Sequence, residues 1–143
     1  MMIRETDRLE HRKNQNMINR EDKMRWAGRA LTVLAVLPFF LSAFMKFSRN
    51  PQMIQGWTHL GWPEPMITRI AILEVSCVAL YLIPQVSIVG AILLTGYLGG
   101  AISTHLRVSE AVVIQVALGV LVWGGLYLRE PRLREILPVR KLK

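Results

Sequence analysis

Charge in this chain crowds into its two ends. Between Ala30 and Leu128 only Lys46, Arg49, Glu64, Arg69, Glu74, Arg107 and Glu110 carry any. A soluble helical bundle needs a polar stripe on every helix to face water. This stretch has too little polar surface for that, and 52% of all residues are hydrophobic. The segregation therefore points to a lipid solvent.

The net charge of +8 would suit nucleic-acid binding only if the basic residues shared one folded face. They flank apolar segments instead, where Lys and Arg set membrane topology and touch anionic headgroups, so no nucleic-acid partner is expected. Cys77 is the single cysteine. It excludes an intrachain disulfide and any CxxC-based redox or zinc site.

Spanning about 30 Å of hydrocarbon takes roughly 20 apolar residues in a helix. Four segments qualify, at about 27–47, 65–83, 86–105 and 110–128. The fold expected is an all-α integral membrane four-helix bundle of antiparallel, up-down topology over residues 26–129. Only Pro84-Gln85 separates the second and third segments, which makes them antiparallel neighbours, and Pro84 ends one helix and starts the next. The longer connection, Ser48 to Pro65, has room for a short interfacial helix.

Residues 1–25 alternate in sign and contain no apolar run, as expected of a flexible, solvated extension, helical or disordered. Met17 and Met24 are alternative starts to Met1, and the first apolar segment reads as retained rather than cleaved. Residues 130–143 form a basic tail. The N-terminal flank holds eight Lys and Arg residues and the C-terminal flank six, against two in the first loop and one in the last. The positive-inside rule then puts both termini in the cytoplasm. Trp26, Tyr81, Trp123 and Tyr127 fall at the inner boundary, and Trp57 and Trp62 at the outer one.

This orientation gives each polar residue a depth, at about 1.5 Å of rise per residue. Glu74 lies roughly 12 Å in from the outer surface, where an ionised carboxylate costs about 2.5–3.5 kcal/mol unless it is paired or wet. Lys46 ends the first helix on the same side, beside Ser42. Tyr97, Ala101, Thr104 and His105 share one side of the third helix, and Gln115 sits near the same depth on the fourth. The candidate ligand-binding cluster is Lys46, Glu74, Tyr97, Thr104, His105, Arg107 and Gln115. Gly96 and Gly100 form a GxxxG step expected to pack helices, within the chain or between copies. Each polar residue also has a structural reading: Lys46 and Arg69 as snorkelling ends, Tyr97 and Gln115 as interhelical hydrogen bonds.

These residues resemble the DoxX-like family of small bacterial membrane proteins. The matching stretches are Ser42-Ala43-Phe44-Met45-Lys46, Leu60-Gly61-Trp62-Pro63, Ile72-Leu73-Glu74, Leu82-Ile83-Pro84, Thr95 through Ala101, and Thr104-His105-Leu106-Arg107. The resemblance implies a four-helix bundle in the bacterial cytoplasmic membrane. The family takes its name from the small subunit of a thiosulfate:quinone oxidoreductase. The polar extension before Met24 departs from the usual pattern.

Three functions follow as expectations. In the first, the outer-half cluster binds a quinone or another small lipophilic molecule, with Lys46, Tyr97 or His105 as donors and Glu74 as proton relay. Any redox step would then need an oxidoreductase partner subunit, because nothing in the sequence holds a flavin or an iron–sulfur cluster. Bis-histidine haem would need His59, which stands in a loop, and no metal site is expected. In the second, the same residues are a purely structural network. In the third, a homo-oligomer transports a small solute.

Overall fold

The computed structural model describes residues 2–137, and among them every regular element is helical. In chain order these are α1 (Met2–Ser48), α2 (Pro51–His59), α3 (Met66–Leu82), a 3-10 turn (Pro84–Val86), α4 (Ser87–Arg107), α5 (Val113–Arg129) and α6 (Pro131–Ile136). Helix α1 lies against α3 and α5, and α4 lies against the same two, so the four long helices enclose one core. Residues 138–143, the last six of the expected basic tail, lie outside the described residues, as does Met1.

Helix α1 shows what kind of solvent the fold requires. Its buried face is Thr32, Ala35, Val36, Phe39, Ala43 and Lys46, which recur at helical spacing along one side. The opposite face is equally apolar, and there Val33, Leu34, Leu37, Phe40, Leu41 and Phe44 are all exposed. The other long helices repeat this, with Ile72 and Leu73, Ile88, Val89 and Ile92, and Val113, Ile114, Val116 and Val120 bare on the outside. A helix that is apolar all round while only half covered by protein is solvated by hydrocarbon. By length and composition α1 and the stretch Pro84–Arg107 are each able to cross a membrane, and α5 is a shorter apolar helix.

Pro38 lies inside α1 without ending it. It removes one backbone donor in mid-helix. The charged N-terminal residues continue α1 as helix from Met2 instead of forming a separate element. Arg134 of α6 reaches back to Glu21, with Nη2 2.7 Å from Oε2. The hydrogen bond and charge of Arg134 hold the Glu21 carboxyl below its ordinary value.

The elements otherwise follow the apolar segments closely, with one exception. α5 begins at Val113, three residues after the expected start at Glu110. Residues 105–110 are folded into a turn, in which the amides of Val108 and Glu110 both donate to the His105 carbonyl and Ser109 has φ 61°. That geometry uses the first turn's worth of residues. The long connection does hold a helix: Asn50 caps α2 by accepting from the Met53 amide at 2.7 Å, and Pro51 supplies the preset first position.

Two glycine contacts set how closely the helices approach. A Cβ on Gly90 would run into the backbone of Tyr81 and lie 2.6 Å from the Leu80 carbonyl carbon, so α3 and α4 touch backbone to backbone there. A Cβ on Gly28 would lie 2.7 Å from the Arg129 nitrogen, so α1 and α5 meet in the same way. At Gly96 and Gly100, the expected packing step, a Cβ would meet no atom within 4 Å, and the pair joins no helices within the chain. Tyr81, expected among the boundary aromatics, faces the protein interior and not lipid. It is fully buried, and its hydroxyl donates to the Val122 carbonyl at 2.8 Å while Arg129 bonds its carbonyl at 2.6 Å.

Candidate functional site

The floor of the site is an ion pair inside the protein. Lys46 arrives from the last turn of α1 and Glu74 from the middle of α3, with side chains 6% and 2% exposed and Nζ 2.6 Å from Oε2. An ammonium has three protons to donate. Lys46 gives them to Glu74, to Ser42 Oγ at 2.7 Å and to Tyr97 Oη at 3.0 Å. The rings of Trp57 and Tyr97 stand 5.9 and 5.8 Å from the same nitrogen. Spacing explains the convergence: Ser42 and Lys46 are four apart on the inward side of α1, and Glu74, Cys77 and Tyr81 line the buried face of α3.

This arrangement revises the part expected of Lys46. With all three donors used, it has none left for a ligand. Its effect passes through Tyr97, whose oxygen accepts from the ammonium at 3.0 Å, so that the Tyr97 O–H donates to a neighbouring acceptor, the Glu74 carboxylate or a ligand. A hydroxyl that accepts a charge-assisted bond donates more strongly. Glu74 is held as the partner of Lys46, which favours a positioning role over that of a free proton relay.

Above this floor is a cavity of about 760 Å³, within the usual range for small-molecule sites. Pro38, Phe39, Ile70, Leu73, Leu98 and Leu118 supply apolar wall, and α2 closes over it through Met53 and Trp57. Gly96 and Gly100 line it too. Having no side chain, they leave space where a larger residue would fill it. Two polar atoms in the lining are buried and unpartnered among the described residues, the indole Nε1 of Trp57 and Oε1 of Gln115. A donor and an acceptor without partners cost about 1–3 kcal/mol each unless something occupies the space between them and water.

A second polar group stands at the outer rim. His105 Nδ1 lies 2.6 Å from Glu110 Oε2, and His59 Nε2 lies 3.4 Å from Glu110 Oε1. The carboxylate thus ties the end of α2 to the end of α4, and His105 and Glu110 both line the cavity. His59 ends a helix rather than standing in an irregular loop. No cluster of metal-ligating side chains occurs among the described residues.

Of the seven candidate residues, Lys46, Glu74 and Tyr97 are joined by hydrogen bonds, while Thr104, His105 and Gln115 line the same cavity. Arg107 is elsewhere. Its guanidinium bonds the Leu60 carbonyl at 2.5 Å and packs beside Gly61, whose φ of 76° makes the turn after α2. Thr104 bonds its own helix at the Gly100 carbonyl. Sequence reasoning missed Trp57 and Glu110 as site residues. Trp57 looked like a belt residue, and Glu110 looked like a helix start; only the fold of α2 over the cavity reveals either.

An apolar-skinned helical protein with an ion pair sealed inside belongs to the class of membrane proteins. The chain is a member of the DoxX-like family, whose pattern matches residues 30–125, about two thirds of its length. No curated protein and no solved structure matches it significantly.

Proposed function

We propose that α1, α3, α4 and α5 cross a bacterial cytoplasmic membrane in antiparallel order, with both chain ends in the cytoplasm, and that the outer-half cavity binds a small lipophilic molecule bearing a carbonyl, a quinone being the best chemical match. The observation that carries this reading is the pair of orphaned polar atoms, Trp57 Nε1 and Gln115 Oε1, beside a charge-polarised Tyr97 hydroxyl in an otherwise apolar cavity. A quinone offers acceptors to Tyr97 and Trp57 and a flat apolar ring to the walls, and its reduced quinol form carries the O–H that Gln115 Oε1 would accept. The positive flanks support the orientation, and the family match supports the membrane setting.

Reducing a quinone takes two electrons and two protons. Among the described residues nothing stores electrons, so the chain acts as a ligand-binding or accessory subunit beside an oxidoreductase. A structural reading draws support from a different observation, the saturation of Lys46 by three partners. It leaves the two orphaned atoms without a purpose.

The test is equilibrium binding of decylubiquinone to the detergent-solubilised protein. Trp57→Phe removes the donor and keeps the ring, and is expected to weaken binding about fivefold or more, the loss of roughly 1 kcal/mol. Wild-type protein that binds no quinone, in a preparation that unfolds cooperatively, would sink the proposal.

A further inference from the structure

At the end of the molecule opposite the cavity, four arginines surround a cleft of about 470 Å³: Arg25 and Arg29 of α1, Arg129 ending α5, and Arg132 of α6, with Glu130 and Pro131 completing it. Glu130 is the one acid in the lining, and it is turned to the Arg132 amide at the start of α6. Among the described residues no carboxylate stands within ion-pair distance of any of the four; Arg134, the neighbouring arginine, is the one that takes Glu21.

Like charges gather here because the backbones are forced together. Gly28 lets α1 approach α5 until a Cβ would lie 2.7 Å from the Arg129 nitrogen and 2.9 Å from the Gly125 oxygen. That contact sets Arg29 and, one turn away, Arg25 beside Arg129. Arg129 is fixed further by its bond to the Tyr81 carbonyl and by stacking 4.5 Å over the Tyr81 ring. Uncompensated guanidiniums held side by side repel, and they are stabilised by an anion they can share. Guanidinium matches phosphate geometry bidentately.

The surroundings select the anion's source. Trp26, 68% exposed, stands next to Arg29, whose guanidinium lies 5.3 Å over its ring. Beyond Arg29 the exposed residues Val33, Leu37, Phe40 and Phe44 continue along one side of α1 as an unbroken apolar track. Charge at the mouth, an indole at the boundary and a bare apolar stripe behind are what a headgroup and its acyl chain require together. A free anion needs only the first.

The geometry points to a binding site for the phosphate of an anionic phospholipid in the leaflet facing the chain ends, held by Arg25, Arg29, Arg129 and Arg132. It lies about 25–30 Å along α1 from Lys46 and does not depend on what the cavity binds.

The test is native mass spectrometry of the full chain released from nanodiscs with equal phosphatidylglycerol and phosphatidylcholine. One phosphatidylglycerol is expected to stay bound. R25Q/R29Q should reduce its retention about tenfold or more, and Arg132→Gln, at an exposed residue, should reduce it by less without a folding risk. Millimolar inorganic phosphate should leave the adduct in place. Equal retention of the two lipids overturns the site, as does unchanged retention in both variants. Displacement of the lipid by inorganic phosphate overturns the lipid as ligand and makes the cleft a soluble-anion site.

Discussion

Glu74→Ala is expected to destabilise the protein by about 3–5 kcal/mol, because it strands the Lys46 ammonium inside the helices without its counter-charge. Ser42 and Tyr97 would still accept from it, but neither carries charge. Lys46→Met in the same background removes the stranded ion and substitutes a flexible apolar chain of similar length. The double variant Lys46→Met/Glu74→Ala should therefore be far more stable than Glu74→Ala alone. Thermal unfolding in mild detergent, followed by circular dichroism, measures both. Equal losses in the single and double variants would mean that the pair is not coupled. The double variant is also expected to lose quinone binding while keeping its fold, since Tyr97 loses the donor that polarises it.

Gly90→Leu is expected to have a still larger effect, enough to prevent accumulation of folded protein. At Gly90 the neighbour is the backbone of Leu80 and Tyr81, which no rotamer change can move aside. Ordinary overpacking costs about 1–3 kcal/mol; here a whole side chain would have to displace backbone that the first added carbon already runs into, and α3 and α4 are tied just beside it by the turn at Pro84–Val86. Separating them would also pull Tyr81 from the Val122 carbonyl. Gly99→Leu serves as the control: its position meets no atom within 4 Å, and the variant should fold normally. Membrane-fraction yield and thermal unfolding give the readout. Comparable yields of the two variants would contradict the close contact.

The contrast between these glycines shows where sequence stops being legible. Gly96-x-x-x-Gly100 has the spacing of a packing motif, while Gly28 and Gly90 have no motif. Yet the packing falls on the latter two, because close approach depends on which face a helix turns to its neighbour. The apolar segments were readable because hydropathy in lipid is a one-dimensional property: all four became helices, α1, α3, α4 and α5, with α1 running on through the polar extension. That Lys46, Glu74 and Tyr97 stand at one level was readable for the same reason, from the rise per residue along each helix, and their side chains do meet. Partnering was not. Arg107 shares that layer's edge but turns to the Leu60 carbonyl, and Tyr81, amphipathic and near a helix end, is buried by contacts from α1 and α5 that no local pattern announces.

The central claim is that the space left by Gly96 and Gly100 exists to be filled by a ligand. The most direct measurement is mass spectrometry of small molecules retained by wild-type protein and by Gly100→Leu, each purified in mild detergent from native membranes. Gly100 lines the cavity, and a Cβ there would touch nothing, so leucine should fill space without disturbing the helices. A stoichiometric lipophilic carbonyl compound is expected with the wild type, together with its loss from a Gly100→Leu variant of undiminished thermal stability. An empty wild-type protein, or the same compound held equally by both, would contradict it.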